Sequence, residues 1–481
     1  MCRSRSAYLF LFLFCLLATP VFAAKVKLDP SNWGLEAGKE CIKCHTKTSA
    51  GIVSQWQDSA HGKQGVNCMD CHQAETSDVD AIEHEGYTIA TLVSPKDCGR
   101  CHEVEEKQNS GSVHVNAVAS ITGQRRFMTE VMGNPAFTAA SCDQCHGSVV
   151  KVKGDGSLDS STWPNSGIGR INPDGSKGSC SSCHGRHSFS KAQARSPEAC
   201  THCHQGLDSP DKEVYEASAH GRAFASQREQ MNLHADSWAA GKDYAASATC
   251  VTCHMGAAGK LPSNHDVGLR SAWKLNGPVS ERHHLVIFED DTKMNLAESA
   301  PKPARGDLLK KVDGSEAKVK VLVPADRRRQ AMTQVCLECH AKNTVSGFMQ
   351  QFDGLVEGFN SQFAKPAQAI MLGLYEQKLL SPKPFDEPVE QTYWSLWHDA
   401  GVRARHGAAM VSAEHAGWQG MHQVAQLFYA SFLPQVQALG APAEALIKQH
   451  VLDQPEHQGW LQQADRPAWV LGVAEGKSTD E

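Results

Sequence analysis

Residues 142–147 read CDQCHG, and the Cys-x-x-Cys-His spacing within them occurs seven more times along the chain. The others are CIKCH (Cys41, Cys44, His45), CMDCH (Cys68, Cys71, His72), CGRCH (Cys98, Cys101, His102), CSSCH (Cys180, Cys183, His184), CTHCH (Cys200, Cys203, His204), CVTCH (Cys250, Cys253, His254) and CLECH (Cys336, Cys339, His340). With Cys142, Cys145 and His146 they make eight motifs. Two cysteines three apart share one face of a helical turn. Each can form a thioether to one vinyl group of a haem, and the next residue, histidine, reaches the iron as its proximal ligand. Zinc would call for further cysteines or histidines at finger-like spacings, and disulfides would not need a histidine after every pair. The pattern predicts eight covalently attached haems c.

The chain around the motifs agrees. Its first 24 residues, MCRSRSAYLFLFLFCLLATPVFAA, carry Arg3 and Arg5, an apolar run over 7–17, and small residues at Ala23 and Ala24. That order is a secretory signal peptide, cleaved after Ala23 or Ala24, and it predicts a periplasmic protein. Cys2 and Cys15 leave with it, and every remaining cysteine belongs to a motif. No later stretch approaches the roughly 18 apolar residues of a membrane span. A net charge of −6 gives no reason to expect nucleic acid as a partner.

Of the 24 histidines, eight are proximal. An electron-carrying haem takes a second axial ligand, whereas a catalytic haem keeps one position open. Candidates for the second ligand are His61, His84, His114, His187, His220 and His265, plus either His398 or His406. Seven candidates for eight haems leave one without a partner.

Residues 25–340 hold all eight motifs between short Gly-, Ser- and Pro-rich connectors, where helical turns are expected and strand alternation is weak. The run TWPNSGIGRINPDGSKGS (162–179) reads as a loop insert, and its GIGRIN does not match a dinucleotide fingerprint. Beyond His340, Phe348, Phe352, Leu355, Phe359 and Phe363 recur at spacings of three and four, which marks an amphipathic helix. Pro366 and the stretch 379–388 interrupt it before further helical segments. The fold class expected is therefore mainly α: a multihaem cytochrome c domain over 25–340, then a C-terminal bundle of long helices over 341–481. The bundle's apolar faces suit either oligomerisation or packing against the haem domain. Basic clusters at Arg125 and Arg126, at Arg282, His283 and His284, and at Arg327, Arg328 and Arg329 suit haem propionates, a solvated face or an anion entry.

Three longer runs carry a resemblance to a family: CSSCHGRHSFSKAQARSPEACTHCHQG (180–206), SNHDVGLRSAWKLNGPVS (263–280) and WHDAGVRARHGAAM (397–410). Together with the order of the motifs they resemble the octahaem hydroxylamine oxidoreductases, over essentially the whole mature chain. The resemblance implies a homotrimer with seven bis-histidine haems. It also implies one five-coordinate catalytic haem, the fourth, on Cys142, Cys145 and His146. Two positions depart from the family. Oxidising members carry a tyrosine that cross-links to the catalytic haem of a neighbouring subunit; His415 stands about there, with Tyr393 and Tyr429 out of register. The Asp-His pair after the sixth motif reads here as Asp208 and Ser209.

Members without the cross-link resemble reductases. The reading is thus a periplasmic oxidoreductase reducing nitrite or hydroxylamine at His146, with Asp208 as the pocket acid. Its partners would be a small inorganic nitrogen substrate and a redox donor, either a cytochrome or a quinol-linked protein. Hydroxylamine or hydrazine oxidation, and a non-catalytic electron-transfer subunit, are the alternatives.

Overall fold

Each cysteine motif is wound into, or follows directly from, a helix, and at three of them the start of a short helix is written into the residues before it. In the computed structural model, which describes residues 35–207, 209–311 and 314–461, the second motif is the single-turn helix Cys68–His72. Asn67 caps it, and Asp70 returns the bond to the Asn67 amide. Ser94 with Asp97 does the same ahead of the third motif, and Thr249 with Thr252 ahead of the seventh. Such caps satisfy amides that a one-turn helix otherwise leaves bare. The signal peptide expected over 1–24 lies outside the described residues.

The mainly α expectation holds, with one correction. Between the seventh and eighth motifs lies a five-stranded antiparallel sheet where helical connectors were expected. Its central strand Glu281–Phe288 pairs with Trp273–Lys274, Lys293–Ala297 and Glu316–Val323, and the last of these pairs with Leu308–Lys310. Val286, Phe288 and Val319 form its core. The signal was present in EAKVKVLV (316–323), whose lysines and valines alternate as a half-buried strand requires. A smaller hairpin, Ala81–His84 against Tyr87–Ala90, turns at Glu85 and Gly86, both at positive φ (51° and 83°).

The C-terminal region is helical, as expected. Its first helix begins at Lys342 and buries Val345, Met349, Phe352, Val356 and Phe359, so the buried stripe is set partly by aliphatic residues between the phenylalanines. Pro366 does not end this helix. A wide π-type turn, Asn360–Ala364, comes first, and Pro366 then sits in the opening turn of Lys365–Glu376. The widened turn relieves the clash between the proline ring and the carbonyl behind it. Three further helical stretches, 388–409, 413–437 and 441–452, pack with it around Phe359, Ile370, Leu374, Leu396, Val424, Phe428, Phe432 and Val451.

One buried arginine ties this bundle to the rest. Arg405 is fully buried and has no carboxylate among its hydrogen-bond partners. Its Nε donates to the Gly401 carbonyl at 2.8 Å and one Nη to the Trp397 carbonyl at 2.8 Å. The other Nη donates to the Gly277 carbonyl at 2.8 Å and to Ser280 Oγ at 2.7 Å. The guanidinium lies 4.3 Å from the Phe359 ring centre, and burial pulls its pKa down to about 9. Asn360 closes the same joint, bonding both the amide and the carbonyl of Ser280 at 2.9 and 2.8 Å. Arg405→Met keeps the volume but strands buried acceptors, so the urea midpoint is expected to fall by the equivalent of about 3 kcal/mol.

Candidate active site

The fourth motif is the single turn Cys142–His146, which leaves its helix through Gly147 at a φ of 84°. The carbonyls at its end are taken up by a loop from farther along the chain. Ile168 N donates to the Cys145 carbonyl at 2.9 Å, and Gly169 N to the His146 carbonyl at 3.2 Å. Asn165 Nδ2 donates to Ser148 Oγ at 2.9 Å. This loop is the GIGRIN segment, and its glycines permit contact between two backbones. A Cβ on Gly167 would lie 2.0 Å from the Gly147 nitrogen, and one on Gly169 2.8 Å from the His146 oxygen. Arg170 fixes the loop from beneath. It is buried, with Nε donating to Asn172 Oδ1 at 2.7 Å and its two Nη atoms to the carbonyls of Asn165 and Val93.

Five proximal histidines face a second histidine. The ring centres are 6.2 Å apart for His45 and His84, 5.9 Å for His102 and His61, and 6.3 Å for His204 and His114. They are 6.4 Å apart for His184 and His265, and 6.0 Å for His340 and His220. An imidazole nitrogen sits about 2 Å from a metal it binds, so two rings on opposite sides of one iron have centres about 6 Å apart. The spacing suits bis-histidine iron. All the motif cysteines are free of disulfides, as thioether attachment requires. The residues present therefore fit haem c.

The other three proximal histidines lack a facing ring among the described residues. His187 lies near enough to His72 for that ring, after burial, to help hold its pKa down; His187 also has a positive φ of 63°. His254 is half-buried and bonded through Nδ1 to the Val267 carbonyl at 3.3 Å. His406, expected as a second ligand, is placed differently. Its Nδ1 is 2.5 Å from Asp211 Oδ1 and its Nε2 is 2.7 Å from Asn276 Oδ1, so both ring nitrogens are already engaged. The alternative, His398, stacks on Trp394 at 4.2 Å. His146 faces no second histidine ring among the described residues.

Contacts between cysteine thiols show which motifs are neighbours. Cys41 touches Cys68, Cys98 touches Cys180, Cys145 touches Cys203, and Cys200 touches Cys250. Cys71 is electrostatically close to Cys98, Cys183 to Cys200 and Cys203, and Cys253 to Cys336. The motifs thus join in the order first, second, third, fifth, sixth. From the sixth, one branch goes to the fourth and another through the seventh to the eighth.

Asp208 lies outside the described residues. Ser209 is buried and turned toward Asp211, to whose Oδ2 its hydroxyl donates at 2.7 Å. That same oxygen is 2.8 Å from His204 Nδ1. Burial alone would raise the Asp211 pKa, but His406 and His204 together hold it well below the ordinary carboxylate range. Sequence reading missed Asp211; its only signal was a third polar residue in DSPD, just past the pair that was weighed. The Arg327–Arg329 cluster is corrected in part. Arg328 is buried and donates to the carbonyls of Gly268, Leu269 and His283, so it does not face an anion.

Two family descriptions match parts of the chain: seven times multi-haem cytochrome CxxCH over residues 173–290, and cytochrome c554 and c-prime over 19–73. Over those residues the chain carries multihaem cytochrome c sequence. Beyond them it is similar to proteins described as hydroxylamine oxidoreductase-like. A probable nitrite reductase-hydroxylamine oxidoreductase fusion protein of Kuenenia stuttgartiensis is 23% identical over 388 residues. That match covers 73% of this chain but only 39% of the relative, so this chain spans about two fifths of that protein's length. Among solved structures, a hypothetical multiheme protein is 23% identical, with a TM-score of 0.68 over 82% of this chain and 94% of that one. A reducing HAO-like protein complex of Kuenenia stuttgartiensis is 18% identical, with a TM-score of 0.57 over 87% of each chain.

Gly167→Ala puts a Cβ where the Gly147 backbone stands. It is expected to yield protein with one haem fewer by intact mass, whereas Gly154→Ala, with open space around it, keeps the full complement.

Proposed function

We propose that the protein is a periplasmic octahaem cytochrome c that reduces nitrite or hydroxylamine at the haem carried by Cys142, Cys145 and His146. The observation that carries this reading is the contrast in surroundings. Five proximal histidines face another imidazole at 5.9–6.4 Å, and His72, His146 and His254 face none among the described residues; His72 has His187 close by, and the family resemblance points to His146 among the three. Cys142, Cys145 and His146 would hold a haem there, and that group would supply an iron able to bind a small nitrogen–oxygen ligand and pass electrons to it. The motif cysteines anchor that group, His146 holds it from one side, and the Gly167–Gly169 clasp keeps the motif's backbone in place. The remaining motifs, joined through the sixth, form the supply line from a redox donor protein.

The tyrosines favour reduction over oxidation. Tyr429 is half-buried and bonded to His457 Nδ1 at 2.8 Å; Tyr393 packs into the C-terminal core; Tyr375 bonds Glu390. All three are engaged within their own chain. His415, where the family's cross-linking tyrosine would stand, is buried and accepts or donates a bond with Ser412 Oγ at 2.9 Å. Of the relatives, one is named as a reducing complex, while the fusion protein's name carries both a nitrite reductase and a hydroxylamine oxidoreductase. The homotrimer implied by the family would be built on the C-terminal helices. No helix among the described residues is long and apolar enough to cross a membrane. With serine at 209, protons for the reduction would come from water or from Asp208 rather than from a pocket imidazole.

Carbon monoxide added to the fully reduced protein is expected to bind about one haem in eight. The same preparation is expected to oxidise a reduced dye when given nitrite or hydroxylamine, and to run as an uncross-linked single chain on a denaturing gel. No carbon monoxide binding would mean that every iron is capped and that the protein is an electron carrier. A covalently linked multimer would instead favour hydroxylamine oxidation.

A further inference from the structure

The sixth motif differs from the others whose surroundings are clear, in both position and support. By thiol contacts it is the branch point: Cys203 touches Cys145 of the fourth motif, Cys200 touches Cys250 of the seventh, and both lie electrostatically close to Cys183 of the fifth. Its histidine is also supported differently. His72 Nδ1 is 2.8 Å from the Ala90 carbonyl, and His254 Nδ1 is 3.3 Å from the Val267 carbonyl and 3.2 Å from Ser271 Oγ; these partners are neutral. His204 Nδ1 instead meets the Asp211 carboxylate at 2.8 Å.

A carboxylate accepting the outer N–H of a metal-bound imidazole draws that proton toward itself and makes the other nitrogen a stronger donor to the metal. Stronger donation stabilises the oxidised iron and lowers its reduction potential. Asp211 is also shared. Its Oδ1 takes the His406 Nδ1 proton at 2.5 Å, and Ser209 Oγ donates to its Oδ2 at 2.7 Å. Each additional donor draws on the same carboxylate and weakens its pull on His204. His406 belongs to the helix Gly401–Ala409, and its Nε2 is fixed by Asn276 at 2.7 Å. The strength of the Asp211–His204 bond therefore depends on the docking of the C-terminal helices.

We propose that Asp211 is a positioning residue that sets the reduction potential of the haem on Cys200, Cys203 and His204, the branch point next to the fourth motif, and that His406 moderates it from the C-terminal helices. A lowered potential there gives electrons a downhill step into the fourth-motif haem. The inference rests on haem attachment at the sixth motif and not on the identity of the substrate.

The test is a potentiometric titration of the full-length haem-loaded protein without substrate, followed optically and by EPR. Asp211→Asn keeps the shape but offers a neutral acceptor, so one haem's midpoint is expected to move positive while the others stay. Asp211→Glu is expected to bring it back toward the wild-type value. His406→Leu removes the competing donor and is expected to move the same haem in the negative direction. A purely structural role would not produce opposite signs. An unchanged titration in Asp211→Asn at full haem content, or shifts of the same sign in Asp211→Asn and His406→Leu, would overturn the proposal. Should Asp211→Asn fail to load haem, His406→Leu decides alone: a negative shift at one haem supports the proposal and none overturns it. Failure of the nitrite and hydroxylamine assays would leave this result standing, because no substrate enters it.

Discussion

Two imidazole rings about 6 Å apart, brought from segments far separated in sequence, are the recurring constraint of this molecule. His45 meets His84 from a hairpin, His204 meets His114 from some ninety residues earlier, and His340 meets His220 from a helix well upstream. The ordinary source of cohesion is scarce in this region. The buried members of the three hydrophobic clusters all lie at or beyond Tyr215. The described residues before that point therefore gain little from side-chain burial against one another. Haem faces held between such paired histidines would supply the apolar surface that the region otherwise lacks. Folding and haem attachment are then one process over 35–214, whereas the C-terminal helices carry a conventional core of their own.

What the haem region lacks in regular structure it replaces with arginines bound to backbone carbonyls. Arg170 serves Asn165 and Val93, Arg270 serves Cys253, Gly256 and Pro262, and Arg328 serves Gly268, Leu269 and His283. A carbonyl in a buried loop has no ladder partner, and leaving it bare is costly. A guanidinium presents five donors in a fixed fork, so one side chain can settle several such groups at once. Burial lowers the pKa of both Arg170 and Arg328 to about 10, still far above neutral pH, so the clamps stay charged. This is a different use of arginine from the propionate pairing or anion entry that clusters of basic residues suggest.

How much of this was legible in the sequence follows from how local each feature is. The motifs were legible because attachment chemistry needs only two cysteines and a histidine within five residues. Local context picks out candidate second histidines, but not which proximal ring each one faces, because pairing is a tertiary fact. The sheet is only partly legible: KVKV alternates plainly, but most of the other strands are short and lie among connectors that otherwise read as helical turns. His406 marks the opposite limit. Its segment fits a ligand, but only the fold brings Asp211 and Asn276 to both of its ring nitrogens. The role of Gly167 was hidden too, since nothing local says that a second backbone passes 2.0 Å from where its Cβ would be.

The serine at 209 gains meaning from the same network. Where the family pattern has an imidazole after the aspartate, this chain has a hydroxyl that is buried and spent on Asp211. A histidine there would be a second titratable ring beside His204 and His406, competing for a carboxylate that already serves both. Serine adds a neutral donor of fixed strength across the physiological range, which steadies Asp211 without offering a proton that comes and goes near pH 7. The exchange removes a proton donor suited to neutral pH and leaves the support of the branch-point histidine insensitive to pH at that position. A site that receives electrons through a well-defined branch and draws its protons from water is consistent with a reductase. An enzyme withdrawing electrons from hydroxylamine must also remove its protons, and for that the missing imidazole would be the greater loss.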